Sequence, residues 1–274
     1  MTQIWLDGAL CDEEEARVSP FDHGLLTGDG AFETIKVYAG RPFAVRRHLE
    51  RLARSAGGLG LGVPEAPVLR AALDEVVTGN GLRDARLRIT VTGGPAPLGS
   101  ERGSAAPTVI VAGAPLSPAV GPANVAVVPW PRNERSALAG LKTISYGENV
   151  VGLAYARERD ATEAIFGNLA GNLCEGAGTN VFVVLGGRLI TPPLSAGCLA
   201  GVTRDLVLEL TDAVEDDVPL SMLAEANEAF LTSTTREVQP IRAVDGRLLP
   251  AAPGPRTTAA GDAFSALVQR NLDP

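Results

Sequence analysis

Only two of the 24 basic residues in this 274-residue chain are lysines, Lys36 and Lys142. Arginine stays protonated in proteins, whereas a lysine amine can lose its proton and attack a carbonyl to form a Schiff base. A chain that carries its positive charge on arginine keeps a lysine where a primary amine is of use. Lys142 lies in residues 138–147 (LAGLKTISYG), a short segment between apolar stretches and ahead of a predicted helix. Partial burial there would supply a neutral amine; the alternative is a solvated loop lysine, the usual fate of the residue. Lys36 falls in a predicted strand, where protecting a sheet edge is the plainer role. The chain has two histidines, His23 and His48, and three cysteines, Cys11, Cys174 and Cys198, without metal-ligand spacing. Neither a metal site nor a Ser-His-Asp triad is expected.

Other residues near the amine in kind, though not in sequence, could hold a ligand. Glu175 sits among small residues in 172–182 (NLCEGAGTNVF), either as a turn acid or as a carboxylate facing a cationic ring nitrogen, with glycines admitting a flat cofactor. Residues 201–204 (GVTR) open a helix after a Gly/Pro-rich loop. The free N–H groups and the Thr203 hydroxyl there suit a phosphate, and a plain N-cap would explain Thr203 equally well. Ser233, Thr234 and Thr235 offer three hydroxyls after an apolar strand, for a phosphate, a carboxylate or an ordinary turn. Arg51, three residues past His48 on a predicted helix, is either solvated or reaches inward to fork a phosphate. Arg86 and Arg88 share the polar face of an alternating strand; solvent exposure is the default there, while two arginines aimed into a cleft would recognise a carboxylate.

The elements that must position these groups follow from periodicity. Strands are expected at Gln3–Leu6, 31–38 (with Phe32, Thr34, Lys36 and Tyr38 on one face), 86–92, 108–112, 125–129, 164–166, 181–184, 189–191 and 229–232. Helices are expected at 48–56, around 69–76 up to the Gly79-Asn80-Gly81 stop, near 148–160, at Val202–Leu210 and at 258–272. Residues 113–122 (GAPLSPAVGP), with three prolines and little periodicity, read as a linker between domains 1–112 and 123–274. Strands and helices alternate without a clean βαβ rhythm, so the expected class is α+β in two lobes with a cleft. The net charge of −8 argues against nucleic-acid or anionic-membrane partners. Without a secretory leader, an apolar run of about 18 residues or an even cysteine count, a reducing cytoplasm is the expected compartment.

In order along the chain, these pieces resemble the class IV aminotransferases, the fold-type IV pyridoxal-phosphate enzymes. That family includes branched-chain and D-amino-acid transaminases, (R)-amine transaminases and aminodeoxychorismate lyase. The segments that carry the resemblance are 19–38 (SPFDHGLLTGDGAFETIKVY), 48–55 (HLERLARS), 142–150, 175–182 (EGAGTNVF), 191–204 (TPPLSAGCLAGVTR) and 232–240 (TSTTREVQP). The resemblance implies a smaller N-terminal α/β lobe, a larger C-terminal α/β pseudo-barrel lobe and pyridoxal 5'-phosphate in the cleft of a homodimer. It implies that Lys142 carries the internal aldimine and shuttles protons. Arg51, Val202, Thr203 and Thr234 would form the phosphate cup, and Glu175 would partner the pyridine nitrogen. Leu199 would pack on the ring, and Tyr146, with a one-residue shift from branched-chain enzymes, would lie near its phenolic oxygen. Phe32, Lys36, Arg88 and Thr235 would face the substrate.

Two departures from the family pattern bear on specificity. Leu199-Ala200-Gly201 replaces LPG before the phosphate turn, and Thr27 stands where branched-chain enzymes place a tyrosine. The loop 93–103 (GGPAPLGSERG) also lacks the Arg-x-His pair typical of D-amino-acid transaminases, leaving Arg88, with Lys36 or Arg102 assisting, as the expected carboxylate ligand. The expected reaction moves an amino group from an α-amino acid, D-selectively, or from an amine, to a 2-oxo acid. The alternative is an aminodeoxychorismate lyase releasing pyruvate and 4-aminobenzoate. A branched-chain L-transaminase and a degenerate cofactor-binding protein are further readings.

Overall fold

A computed structural model describes residues 2–117 and 121–274. The chain divides into two compact units. One comprises the described residues within 1–117 together with Leu141–Tyr146 and Asn271–Pro274; the other comprises those within 118–140 together with Gly147–Arg270.

In the first unit, β1 (Gln3–Leu6) and β2 (Ala9–Asp12) form a hairpin about Asp7-Gly8, both with positive φ, a turn whose twist matches paired strands. Then come α1 (His23–Thr27), β3 (Gly30–Tyr38), β4 (Arg41–Pro42), α2 (Val45–Gly58), α3 (Ala66–Gly79), β5 (Ala85–Thr92) and β6 (Val109–Pro115). Among the described residues these strands make one six-stranded sheet, ordered β2-β1-β6-β5-β3-β4. Ile35, Val37, Leu87, Ile89 and Val91 line its apolar face and pack with Leu49 and Leu52 of α2 and Leu69 and Leu73 of α3. Fully burying each such side chain is worth roughly 1.5–3 kcal/mol. α2 has no side-chain cap of its own. The far end of the chain supplies one, with Asp273 Oδ1 accepting from Arg46 N (2.8 Å) and Leu272 O from Ala44 N (2.6 Å).

The second unit contains β7 (Ala123–Val127), α4 (Gly147–Arg157), β8 (Glu163–Gly167), β9 (Leu173–Gly176), β10 (Asn180–Leu185), β11 (Arg188–Thr191), α5 (Val202–Leu210), β12 (Val214–Glu215), β13 (Glu228–Ser233), β14 (Glu237–Val244), β15 (Arg247–Leu248) and α6 (Pro255–Arg270). Its sheet runs β12-β11-β10-β13-β14-β7-β8-β9, with β15 on β14. β7 is parallel to both neighbours, while β10, β13 and β14 pair antiparallel. Phe182 and Phe230 face each other across β10 and β13 with rings stacked at 4.8 Å.

The two-unit α+β architecture agrees with expectation; the boundaries differ in three places. Gly113–Pro115 of the expected linker pair with Leu87, Arg86 and Ala85 as the end of β6, and residues 118–120 of that linker lie outside the described residues. The segment Leu141–Tyr146, expected in the second domain, groups with the first unit. The last helix starts at Pro255 and stops at Arg270, because residues 271–274 are taken up at α2. β14 was not expected at all: Pro240 interrupts its apolar alternation, and a proline within a run demotes a strand reading.

Candidate active site

Leu141–Tyr146 runs along the edge of β3. Phe32 N–H donates to Lys142 O (3.0 Å), Ile144 N–H to Gly30 O (2.9 Å), and Ala31 and Thr143 pair antiparallel. Lys142 N–H in turn donates to Ser55 Oγ on α2 (3.0 Å). The backbone on both sides of this lysine is thus fixed by tertiary bonds. Opposed residues of an antiparallel pair share a face, which brings the half-buried Lys142 beside Phe32. Its Nζ lies 4.3 Å from the ring centroid. Arg88 Cζ lies 3.8 Å from the same centroid, and the Tyr146 ring meets Phe32 edge-on at 5.1 Å. Arg88 Nε donates to Thr90 Oγ1 (3.0 Å), steadying the guanidinium along β5.

Lys36 and Arg102, also expected as substrate contacts, lie elsewhere in this unit. Lys36 sits further along the same face, its Nζ 4.7 Å from the Tyr38 ring. Arg102 is forked onto Asp29, with Nε at 2.5 Å from Oδ2 and Nη2 on Oδ1; His23 Nδ1 shares that carboxylate at 2.8 Å. The Arg102 fork holds the Asp29 carboxyl below its ordinary value, and the bond to Asp29 raises the His23 imidazole. Thr27 places no ring here, and its hydroxyl donates to His23 O (2.8 Å).

Arg51 turns out to have a carboxylate partner that sequence reading did not foresee. Its Nε and Nη2 donate to Glu33 Oε1 and Oε2, each at 2.7 Å, and His48 Nδ1 meets Oε2 at 2.7 Å. Glu33 is 0% exposed, His48 1% and Arg51 4%. Burial alone would push the Glu33 carboxyl up; the Arg51 charge and hydrogen bonds, with the His48 bond, outweigh it and hold it well below 4.5. Burial lowers His48 from 6.5 and outweighs the Glu33 bond. Neutral His48 therefore donates from Nδ1 to ionised Glu33, and the charge pair is Glu33 with Arg51. Glu33 does leave a trace in the sequence, since it is the charge on the Ala31, Ile35, Val37 face of β3. Nothing distinguished His48 or Ser55.

The second unit assembles a different set. Glu175, on β9, accepts from Leu199 N–H at Oε2 (2.9 Å), and Leu199 O accepts from Asn180 Nδ2 (2.8 Å). Asn180 opens β10 opposite Thr232 of β13. It also packs against Gly201, where any Cβ would collide with its Oδ1. Gly201 is the N-cap of α5 and contributes no side chain, so the N–H groups at Val202 and Thr203 head a helix without a capping acceptor of its own. Arg204 is not part of this mouth: it is fully buried, with Nη2 on Pro192 O (2.8 Å) and on Glu215, and anchors the preceding loop. Ser233, Thr234 and Thr235 are half-buried at the β13–β14 turn. The deeper hydroxyl is Thr232 Oγ1, buried and without a hydrogen-bond partner among the described residues.

These features fit pyridoxal phosphate. An uncapped helix N-terminus and an unsatisfied buried hydroxyl suit a dianionic phosphate. Glu175, oriented by Leu199 N–H, suits a pyridine nitrogen. No helix is long and apolar enough to cross a membrane, and no cluster of metal-binding side chains occurs, both among the described residues.

The family profile described as amino-transferase class IV matches residues 30–244. The chain is similar to the branched-chain aminotransferase of the archaeon Thermoproteus uzoniensis, solved with norvaline, at 34% identity and a TM-score of 0.91 over 97% of this chain and 94% of that one. It is 33% identical over 265 residues to the D-alanine aminotransferase of Bacillus licheniformis, covering 93% of each. It is 31% identical over 258 residues to the aminodeoxychorismate lyase of Bacillus subtilis, covering 88% of this chain and 86% of the relative.

Proposed function

The chain belongs to the class IV aminotransferase family, whose members depend on pyridoxal phosphate, and we propose that it transfers the amino group of an α-amino acid, D-selectively, to a 2-oxo acid. The observation that carries this reading is the gathering of Lys142 and Arg88 on one ring, Phe32, at 4.3 and 3.8 Å. One group can exchange a proton and the other can fork a carboxylate.

Lys142 Nζ would hold the cofactor and move the proton at the substrate's α-carbon. Glu175 would hold the ring nitrogen, and Leu199 the ring face. Arg51, Val202, Thr203 and Thr234 would hold the phosphate, and Tyr146 would lie near the phenolic oxygen. When bound, pyridoxal phosphate supplies an electron sink for negative charge at the α-carbon. Arg88 would orient the substrate carboxylate, Phe32 would exclude water from the reacting face, and Lys36 and Thr235 would contribute at the margins. D-selectivity is supported by Thr27, whose small, exposed side chain bonds back to His23 O of its own helix and stands where branched-chain enzymes place a tyrosine. Similarity to a lyase supports a second reading on the same residues, release of pyruvate from aminodeoxychorismate.

The working unit is read as a homodimer, since Phe21, Leu25, Leu26 and Leu98 leave apolar surface exposed in one region, where Ala96 N–H bonds Phe21 O. Free thiols at Cys11, Cys174 and Cys198 suit the cytoplasm. Mixing the loaded enzyme with single D- and L-amino acids, and separately with aminodeoxychorismate, tests the assignment through the cofactor's absorbance. Bleaching by D-amino acids is expected. Response to L-branched acids alone would remove D-selectivity, and pyruvate release from aminodeoxychorismate without bleaching would install the lyase. Sedimentation at micromolar concentration checks the dimer.

A further inference from the structure

Glu175 is faced by a cation that sequence reading did not single out. Arg132 Nε stands 3.6 Å from Glu175 Oε1, close enough for an ion pair and too long for a hydrogen bond. The guanidinium is locked from its other sides. Nη1 donates to Glu148 Oε2 (2.9 Å), Nη2 to Asn149 Oδ1 (2.9 Å), and Cζ lies 4.0 Å from the Phe166 ring centroid. Asn149 itself donates to Ala177 O, in the turn that follows Glu175. Arg132 Nε is buried and has no hydrogen-bond partner among the described residues. A buried N–H of a charged group is seldom left unbonded without compensation, and what this one faces is the Glu175 carboxylate.

Two ionisable neighbours, Cys174 and Cys198, do not substitute for it. Burial pushes the Cys174 thiol far up and the Cys198 thiol to about 12, so both stay neutral beside Glu175. On the Oε2 side Leu199 N–H supplies direction but no charge.

Resting on the reading of Glu175 as the partner of a heteroaromatic ring nitrogen, we propose that Arg132 is a positioning residue that keeps Glu175 ionised and aimed, and thereby keeps that nitrogen protonated. An opposite charge within about 4–6 Å favours the ionised form of a carboxyl group. A neutral acid would donate a hydrogen bond to the ring nitrogen where a carboxylate accepts one from its N–H.

The test loads the full-length protein with pyridoxal phosphate labelled with nitrogen-15 in the ring and reads the protonation of that nitrogen by NMR. Wild type should give the protonated signal, and Glu175→Gln should move it to the unprotonated position. Arg132→Met, which keeps the stem and drops the charge, should move it the same way, and Arg132→Lys should recover much of the wild-type signal. Thermal melting confirms folding; should Arg132→Met not fold, Arg132→Gln carries the same comparison. If Glu175→Gln moves the signal and the neutral Arg132 variants do not, Arg132 is only scaffolding and the inference fails alone. If Glu175→Gln leaves the signal unchanged, the assignment of Glu175 falls and the inference with it.

Discussion

The two units present their candidate groups in different materials. In the first, side chains dominate: Lys142 and Arg88 on Phe32, and behind them the buried Glu33–Arg51 pair with His48. In the second, main-chain groups recur: Leu199 N–H on Glu175, the Leu199 carbonyl that accepts from Asn180 Nδ2, and the bare N-terminus of α5 at Gly201. The difference follows from the proposed tasks. A group that exchanges protons must titrate, and backbone amides do not. A ligand of fixed negative charge needs directed donors, and main-chain N–H groups supply them without side-chain entropy cost. The first unit should therefore be sensitive to loss of particular functional groups, the second to added bulk.

Substitutions can break that contrast, beginning with the largest effect. Lys142→Arg keeps the positive charge beside Phe32 and removes the amine that can deprotonate. kcat should fall by at least about 10²–10⁴-fold, while the urea unfolding free energy changes by no more than about 0.5 kcal/mol. Retained turnover would take the chemistry away from this lysine.

Glu33→Ala removes the carboxylate forked by the buried Arg51 and should cost about 3–5 kcal/mol of stability by urea titration. The pH dependence has a definite sign. Glu33 has a lowered folded pKa, so its contribution is complete above 4.5 and is lost as pH falls through and below that value. His48 is also lowered, from 6.5, so folding begins to lose its contribution as pH falls through the histidine range. Compared with wild type, His48→Gln should flatten stability between about pH 6.5 and 5, leaving the more acidic decline of Glu33 in place. An unchanged profile would mean that His48 is not held neutral.

A fourth substitution probes the backbone-built side. Gly201→Ala drives a Cβ into Asn180 Oδ1 and should weaken cofactor retention, measured by fluorescence titration, by about 1–3 kcal/mol. No loss would show that the corner is not tightly built. The smallest effect is expected from Lys36→Arg. Lys36 lies beside Tyr38, four residues along β3 from Phe32, so kcat should hold and KM shift by no more than about 0.5 kcal/mol in equivalent free energy.

Much of this was legible in advance. The rarity of lysine singled out Lys36 and Lys142, and the family resemblance chose Lys142 between them; alternation marked β3 and β5, and the Gly/Pro loop before residues 202–210 marked the start of a helix. These are local signals, written in residue type and spacing over a few positions. β14 was hidden by Pro240, a local rule overridden by pairing with β13 and β7. Glu33 could have been noticed as a charge on an apolar face, but its partners lie 15 and 18 residues away on another element.

What the sequence determined by itself is the chemistry available: one lysine in a segment free of competing motifs, a carboxylate among glycines, hydroxyls at turns, and the ordered segments that mark the family. Tertiary structure alone decided which of these groups meet. It put Lys142's segment on the edge of β3, spent two donors of Arg51 on Glu33, turned Arg102 toward Asp29, and set Arg132 against Glu175. Residue type sets what a group can do, but the ionisation and aim of a buried charge depend on neighbours brought from distant positions, which spacing along the chain does not encode.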